Sequence, residues 1–242
     1  MRTLLASATV LVLALAARSA NGDGLFYQLP KDGLWVNYEF DAVLQEKGLQ
    51  RENASGSIRM ASVGQTSVAG EPCRWIEVKF EMIYGEQKIK QKPITAKVLI
   101  PEKHLGKGKD PLDNVVRAWK KKGSGAPKEL KDFEDARDAP LPLILAPPLK
   151  NAKQLSAVET SSKLGELSCV GVTGTAQFLV DNREQMDVTF ENRLHPKSPF
   201  GVVASRWDIK VSKKGQTMVT MTWNLKLSDL GENAKSELPE QK

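Results

Sequence analysis

The sequence contains few of the residues from which metal centres and catalytic sites are usually built. Its 242 residues include two histidines, His104 and His195, and two cysteines, Cys73 and Cys169. Neither histidine has a second histidine or a cysteine at the short spacing that zinc sites need, and the cysteines lie too far apart for a redox motif. The sequence therefore predicts no metal ion and no cofactor.

Recognisable catalytic motifs are missing as well. The chain has no serine-nucleophile elbow, no glycine-rich phosphate loop and no paired metal-binding carboxylates. The alternative that would make the protein a hydrolase is an acid/base pair assembled by folding, such as Glu191 with His195. Because strand and turn residues of this kind usually lie at the surface, we predict no catalytic residue.

The positive charge is too weak and too evenly spread to indicate a nucleic-acid partner. The net charge is +6, and the only dense basic run is Lys120-Lys121-Lys122. This run follows a predicted helix, at whose carboxyl end cations interact favourably with the helix dipole. We interpret it as a helix end and predict no nucleic-acid binding.

A long apolar run occurs only at the amino terminus. Residues 4–17 are apolar, follow Met1-Arg2 and precede small residues, which is typical of a secretory signal peptide over residues 1–22. The run is short for a membrane helix, and no later stretch is apolar enough to be one. We predict an exported protein, periplasmic or extracellular, without a stable membrane span; a retained anchor is the alternative.

Alternation of apolar and polar residues is the main pattern in the rest of the chain. The even positions from Ile76 to Met82 are apolar and the odd ones between them are charged, the period of a strand with one buried face. The same period predicts strands near residues 34–44, 58–63, 94–100, 170–178, 186–190, 203–211 and 219–227. We predict a single β-rich domain over residues 23–230 and a flexible polar tail over residues 231–242.

Two segments between the groups of strands have other patterns. Asp110-Pro111-Leu112-Asp113 has the residues of a helix start, and apolar residues up to Trp119 follow at helical spacing, so we predict a helix that ends near Gly123. Residues 139–148 contain four prolines, which argues against a helix or a central strand. We interpret this segment as an extended crossover on the sheet; a partner-docking segment is the alternative.

These patterns predict the fold class. We expect a mainly β protein with a curved antiparallel sheet of about eight strands, a half-barrel or open barrel, with one inserted helix and a proline-rich crossover. Trp207 and Trp223 lie on apolar faces and are predicted to be core residues. Trp35 and Trp75 lie on polar faces, where they cover the outer face or point at the helix. An apolar cavity within the curved sheet is the alternative to a filled core.

Cys73 and Cys169 each follow a Gly-Glu turn and enter a strand. If those strands were neighbours in one sheet, the two residues would form a disulfide in an oxidising compartment. Two buried free thiols are the alternative.

The order of these elements resembles the periplasmic lipoprotein carriers of the LolA and LolB kind. The likeness is carried by the secretory signal, the long strands, the inserted helix and Pro199-Phe200-Gly201-Val202-Val203, which leads into a late strand. It covers most of the mature chain, which is also similar to uncharacterised secreted proteins of planctomycete-type bacteria. The resemblance implies an apolar concavity for acyl chains and matches no residue individually.

The sequence therefore favours an exported, non-enzymatic β-protein that binds an apolar or lipid-like ligand, or a partner protein, in or on its curved sheet. A structural cell-envelope component is the first alternative. A hydrolase that uses an assembled carboxylate and His195 is the second.

Overall fold

The computed structural model describes residues 24–85, 87–130, 141–181 and 184–238, which contain twelve β-strands and one turn of α-helix. The predicted signal peptide over residues 1–22 lies outside the described residues, as do residues 239–242 of the predicted tail. The helix, α1, is formed by Leu141–Ile144. The strands are β1 (Trp35–Glu46), β2 (Glu52–Val68), β3 (Glu71–Tyr84), β4 (Ile89–Lys90), β5 (Ile94–Pro101), β6 (Arg117–Lys122), β7 (Lys128–Leu130), β8 (Lys150–Ser162), β9 (Gly165–Asp181), β10 (Glu184–Leu194), β11 (Val202–Lys213) and β12 (Gln216–Gly231).

All of these strands belong to one open antiparallel sheet. Its order is β7-β6-β5-β3-β2-β1-β12-β11-β10-β9-β8, and the short β4 pairs with β3. Two meanders therefore run outward from the centre, where β1 pairs with β12. The prediction of a mainly β protein with an open antiparallel sheet is confirmed.

The predicted number of about eight strands is too low. The strands missed are β4, β6, β7 and β8, and the longest of them, β8, forms one edge of the sheet. Most of its 13 residues are exposed. Because β8 has no fully buried face, its sequence lacks the alternation from which a strand is recognised.

The predicted helix after Asp110 is wrong. Asp110 does cap a turn, because its side chain accepts hydrogen bonds from the backbone N–H groups of Leu112 (3.1 Å) and Asp113 (3.3 Å). Only one 3₁₀ turn, Leu112–Asn114, follows this cap. The chain then becomes extended, and β6 pairs with β5. That pairing buries Ala118 on one face of the sheet and Trp119 on the other. The three lysines therefore belong to a strand and not to a helix end.

The crossover connects β7, at one edge of the sheet, to β8 at the other edge. The described part begins at Leu141, and its residues 141 and 143–146 are almost completely buried, so the interpretation as a crossover on the sheet is confirmed. The prediction that this segment excludes a helix is wrong for one turn, since Leu145 N–H donates to the Leu141 carbonyl (2.8 Å). Pro142 fits there because the first turn of a helix needs no N–H donor from it.

A row of aromatic rings crosses the centre of the buried face of the sheet, which we call the core face. In strand order across the sheet the rings are Phe80, Phe40, Trp223, Trp207 and Phe190, with successive centres 5.6, 4.6, 5.8 and 5.8 Å apart. Gly56 of β2 lies beneath this row, and a Cβ atom there would come within 2.7 Å of the Phe40 ring. The predicted core positions of Trp207 and Trp223 are confirmed.

The residues before β1 attach the crossover and the β10–β11 loop to the core. Leu25 N–H donates to the Ile144 carbonyl, and Tyr27 N–H donates to the Phe200 carbonyl, both at 2.9 Å. Leu25 and Phe26 are buried in the core. This amino-terminal segment and the crossover therefore cover the core face together.

Residues 232–238 lie against the opposite face, which we call the outer face. The carboxylate of Glu77 in β3 accepts hydrogen bonds from Ser236 Oγ (2.6 Å) and from the backbone N–H of Glu237 (3.0 Å). Trp35 Nε1 donates to the Glu232 carbonyl (3.3 Å), and Leu238 is buried. The described part of the predicted flexible tail therefore makes specific contacts with β1 and β3.

Candidate functional site

A cavity of about 280 Å³ opens where the amino-terminal segment meets β9 and the β10–β11 loop. Residues more than 160 positions apart in sequence form its walls, so it exists only in the folded chain. Its lining residues are Tyr27, Gln28, Lys107, Gln154, Val170, Val172, Leu194, His195, Pro196 and Gly201. We call it the end cavity.

The β10–β11 loop is held in shape by its own backbone. The Ser198 N–H donates to the His195 carbonyl (3.1 Å), and the Gly201 N–H donates to the Ser198 carbonyl (2.9 Å). Gly201 has φ +87°, a conformation that favours glycine, and a Cβ atom there would lie 3.0 Å from Cβ of Tyr27. The glycine therefore permits both the turn and the close approach of Tyr27.

Two polar side chains fasten this loop to the rest of the protein. Gln28 Nε2 donates to the Ser198 carbonyl at 2.6 Å, and the buried Tyr38 hydroxyl donates to the Val202 carbonyl at 2.9 Å. Burial raises the pKa of Tyr38, so its hydroxyl remains a hydrogen-bond donor at physiological pH. The wall of the end cavity is therefore preformed.

The floor of the end cavity is apolar. Val170 of β9 lies opposite Leu194 of β10 in the strand register, and both line the cavity with Val172. Val172 is completely buried, whereas Val170 remains 40% exposed. An exposed valine beside buried ones offers an apolar contact surface to a ligand.

The rim of the end cavity is polar and carries one lysine. The Lys107 ammonium lies 5.6 Å from the centre of the Tyr27 ring, a cation–π distance. His195 Nδ1 accepts a hydrogen bond from the backbone N–H of Lys197 (3.2 Å), which leaves Nε2 as the ring nitrogen available to a ligand. The arrangement suits a molecule with an apolar body and a polar or anionic end.

Glu191 and His195, the candidate pair for a hydrolase, belong to different surroundings. Glu191 pairs with Arg193 (2.5 Å) and lines a separate cavity of about 400 Å³, whereas His195 lines the end cavity. His104 lies in the 3₁₀ turn Glu102–His104 and lines neither of these cavities. The described contacts therefore do not assemble the acid/base pair.

Only some of the residues that line the end cavity could be recognised from sequence patterns. The strand face with Val170 and Val172 and the loop with His195 are both recognisable from the sequence. Tyr27 and Lys107 lie in irregular segments, where no periodicity indicates which way a side chain faces. Their positions result from long-range packing.

Cys73 and Cys169 are both buried and both free, and they do not lie on neighbouring strands. Five strands separate β3 from β9 in the sheet. Cys169 packs with Leu167 and Val203 in a small cluster of its own. The strands that carry the two cysteines are therefore not neighbours, as the disulfide prediction required them to be.

Both thiols are expected to react slowly with a thiol reagent in the native protein and rapidly after unfolding. Burial raises the pKa of each cysteine and lowers the fraction of the reactive thiolate. Ellman's reagent should detect two thiols per chain in denaturant and far fewer without it. An intact mass lower by two hydrogen atoms, with no thiol detected in denaturant, would instead show the disulfide.

Neither a metal site nor a membrane helix is found in the described part of the chain. No group of three or more histidine, cysteine, aspartate or glutamate side chains in residues 24–85, 87–130, 141–181 and 184–238 is arranged to hold a metal ion. No helix within those same ranges has the length and apolar character needed to cross a membrane.

No protein-family model matches the chain, and no curated protein matches it in sequence. Solved structures with a similar fold include an exported protein with a YmcC-like fold from Bacteroides fragilis, at 6% identity over 86% of this chain and 99% of that one, with a TM-score of 0.34. A DUF1329 family protein from Desulfovibrio piger matches at 8% identity over 84% of this chain and 87% of that one, with a TM-score of 0.31.

A LolA superfamily protein from Nitrosomonas europaea is also among these structures. It is 10% identical over 88% of this chain and 90% of that one, with a TM-score of 0.26. The solved structures similar to this chain thus include a member of the LolA superfamily, the kind of protein that the sequence resembles. At these scores the likeness gives no residue correspondence.

Proposed function

We propose that this protein is an exported, non-enzymatic binding protein that holds an apolar or lipid-like ligand in the end cavity. The observation that carries the proposal is the combination of an apolar floor with a polar rim in a preformed cavity. Ligand pockets commonly have this composition, and about 280 Å³ is close to the lower end of their usual volume range, roughly 300–1,000 Å³. Export is supported by the apolar stretch at residues 4–17.

The side chains suggest how such a ligand would lie. An apolar chain would contact Val170, Val172 and Leu194, from which it would displace water. A carboxylate or another anionic group at its end would lie at the rim near Lys107. A ligand in this orientation keeps its charge solvated and buries only its apolar part.

Replacing Val170 by aspartate is expected to weaken binding of dansyl-labelled undecanoic acid by at least about tenfold, because the new carboxylate would face the apolar chain without a partner. Val170 is 40% exposed, so the substitution should leave the fold intact. Fluorescence titration of the purified protein with this probe measures the effect.

Val158→Asp is the matched control. Val158 is 42% exposed and lies on the neighbouring strand β8, but it does not line the end cavity. This variant should bind the probe as the wild-type protein does. Absence of probe binding by the wild-type protein, or an equal loss in both variants, would contradict the proposal.

A further inference from the structure

The outer face carries a second and larger concavity, in which most of the lining side chains carry a polar group although carbon atoms form much of the accessible surface. An open groove of about 600 Å³ crosses β9, β10, β11 and β12 on the side of the sheet opposite the aromatic row. Its polar lining side chains are Lys150, Thr175, Gln177, Asp187, Thr189, Asp208, Lys210, Thr220 and Thr222. We call it the polar groove.

The strand register arranges these side chains in two parallel rows. One row, in order across the four strands, is Thr175, Thr189, Asp208 and Thr222. The other is Gln177, Asp187, Lys210 and Thr220. With neighbouring strands about 4.8 Å apart, each row presents polar groups at regular intervals over about 14 Å.

Asp208 is held in a fixed orientation inside the polar groove. Arg206 donates to it through both Nε (2.9 Å) and Nη2 (3.1 Å), and Thr222 Oγ1 donates to its Oδ1 at 2.8 Å. The hydrogen bond from Arg206 lowers the pKa of Asp208, so the group remains a carboxylate. A carboxylate has about four lone-pair positions and three of them are occupied here, so about one remains to accept a hydrogen bond from a ligand.

Asp187 is oriented in the same way by amides. Gln177 Nε2 donates to its Oδ1 at 2.8 Å, and Gln185 Nε2 donates to both carboxylate oxygens at 2.9 and 3.1 Å. Two acceptors on adjacent strands are thus preorganised before any ligand arrives. Preorganisation lowers the entropy that binding would otherwise cost.

The charges of the lining select the class of ligand. Asp187 and Asp208 lie among Lys150, Lys210 and Arg206, so the excess is a single positive charge, which is too small to select a polyanion or a polycation. The hydroxyls of Thr189 and Thr220 can both donate and accept, whereas those of Thr222 and Thr175 already donate to Asp208 and to the Lys150 carbonyl and can still accept. A ligand that offers closely spaced donors and acceptors without net charge matches this pattern, and hydroxyl groups on sugar rings have that property.

The polar pattern continues beyond the groove. Glu191, Arg206 and Asn224 form the next row along the same strands, and they line the adjoining cavity of about 400 Å³. The accessible polar track is therefore longer than the groove itself. Its length favours an extended chain over a single small molecule.

We infer that the polar groove on the outer face of β9–β12 binds a neutral oligosaccharide through Asp187, Asp208 and the threonine rows. This site is independent of the end cavity, because the two lie on opposite faces of the sheet. The protein would thereby join an apolar ligand on one side to a glycan on the other.

Isothermal titration of the full chain with cellohexaose, maltohexaose and chitohexaose tests the inference. At least one of these should bind, and Asp208→Asn should weaken that binding by at least about fivefold. Asp187→Asn should weaken it as well and serves as a second variant should the first unfold. Asp229→Asn, on the same face but outside the groove, should bind as the wild-type protein does.

Three results would overturn the inference: no binding of any of the three oligosaccharides, unchanged binding by both groove variants, or an equal loss in Asp229→Asn. Tighter binding of heparin than of the neutral sugars would overturn it too, since heparin is a polyanion. Val170→Asp should leave oligosaccharide binding unchanged, and Asp208→Asn should leave binding of the dansyl fatty acid unchanged. The two proposals can therefore fail separately.

Discussion

Replacing Trp207 by alanine is expected to lower the free energy of unfolding by about 3–5 kcal/mol. Trp207 is completely buried in the middle of the aromatic row, with Trp223 5.8 Å away on one side and Phe190 5.8 Å away on the other. Alanine would leave a cavity between these two rings that the surrounding strands cannot close. Urea unfolding followed by circular dichroism measures the loss.

Trp207→Phe tests how much of this loss is avoided when a smaller aromatic ring stays in the row. The Trp207 Nε1 group is buried without a hydrogen-bond partner among the described residues, so its removal costs no hydrogen bond there. We expect this variant to lose about 1–2 kcal/mol, because phenylalanine keeps an aromatic ring in the row. An unfolding midpoint of Trp207→Ala equal to that of wild type would show that the row is not part of the stable core.

Replacing Arg74 by alanine is expected to cost about 2–3 kcal/mol, because it removes the buried member of an ion pair with the partly exposed Glu102 together with two buried hydrogen bonds. Arg74 is 4% exposed and donates to Glu102 through Nε (3.0 Å) and Nη2 (2.8 Å). Its Nη1 donates to the Pro30 carbonyl and to Ser62 Oγ, both at 2.9 Å. Loss of the guanidinium would leave these acceptors without their donor.

The same contact predicts a local effect as well as a global one. Since Arg74 attaches the amino-terminal segment at Pro30, Arg74→Ala should increase hydrogen exchange in residues 24–34 more than in β10–β12. Arg74→Lys keeps the charge but loses the planar fork, so we expect an intermediate loss of stability. A cost below about 1 kcal/mol for Arg74→Ala would contradict the assignment of Arg74 as a buried anchor.

The sequence predicted those strands that have one buried face. In β1, β3, β11 and β12 the apolar side chains recur at every second residue because the core face takes alternate positions. The edge strand β8 has no such constraint, so the same reasoning missed it. In β6 the apolar residues Ala118 and Trp119 are adjacent and lie on opposite faces of the sheet, so the strand shows no alternation, and its extended form depends on the pairing with β5.

The sequence predicted that an apolar concavity could exist, but not which residues would form the end cavity. An apolar concavity was one of the expectations, and the strand face with Val170 was visible from the alternation. The contact of Tyr27 with the loop at Gly201 joins residues 174 positions apart, and no local pattern contains that information. The polar groove was missed because threonines and charged residues on the wet face of a strand look alike whether or not they form a site.

Native mass spectrometry is the most direct test of the claim that the end cavity holds an apolar ligand. Wild-type protein purified without denaturant from the cells that naturally produce it should carry extra mass that is lost when it is unfolded, and Val170→Asp should carry none. A wild-type spectrum that shows only the bare chain, or equal extra mass in Val170→Asp, would contradict the account.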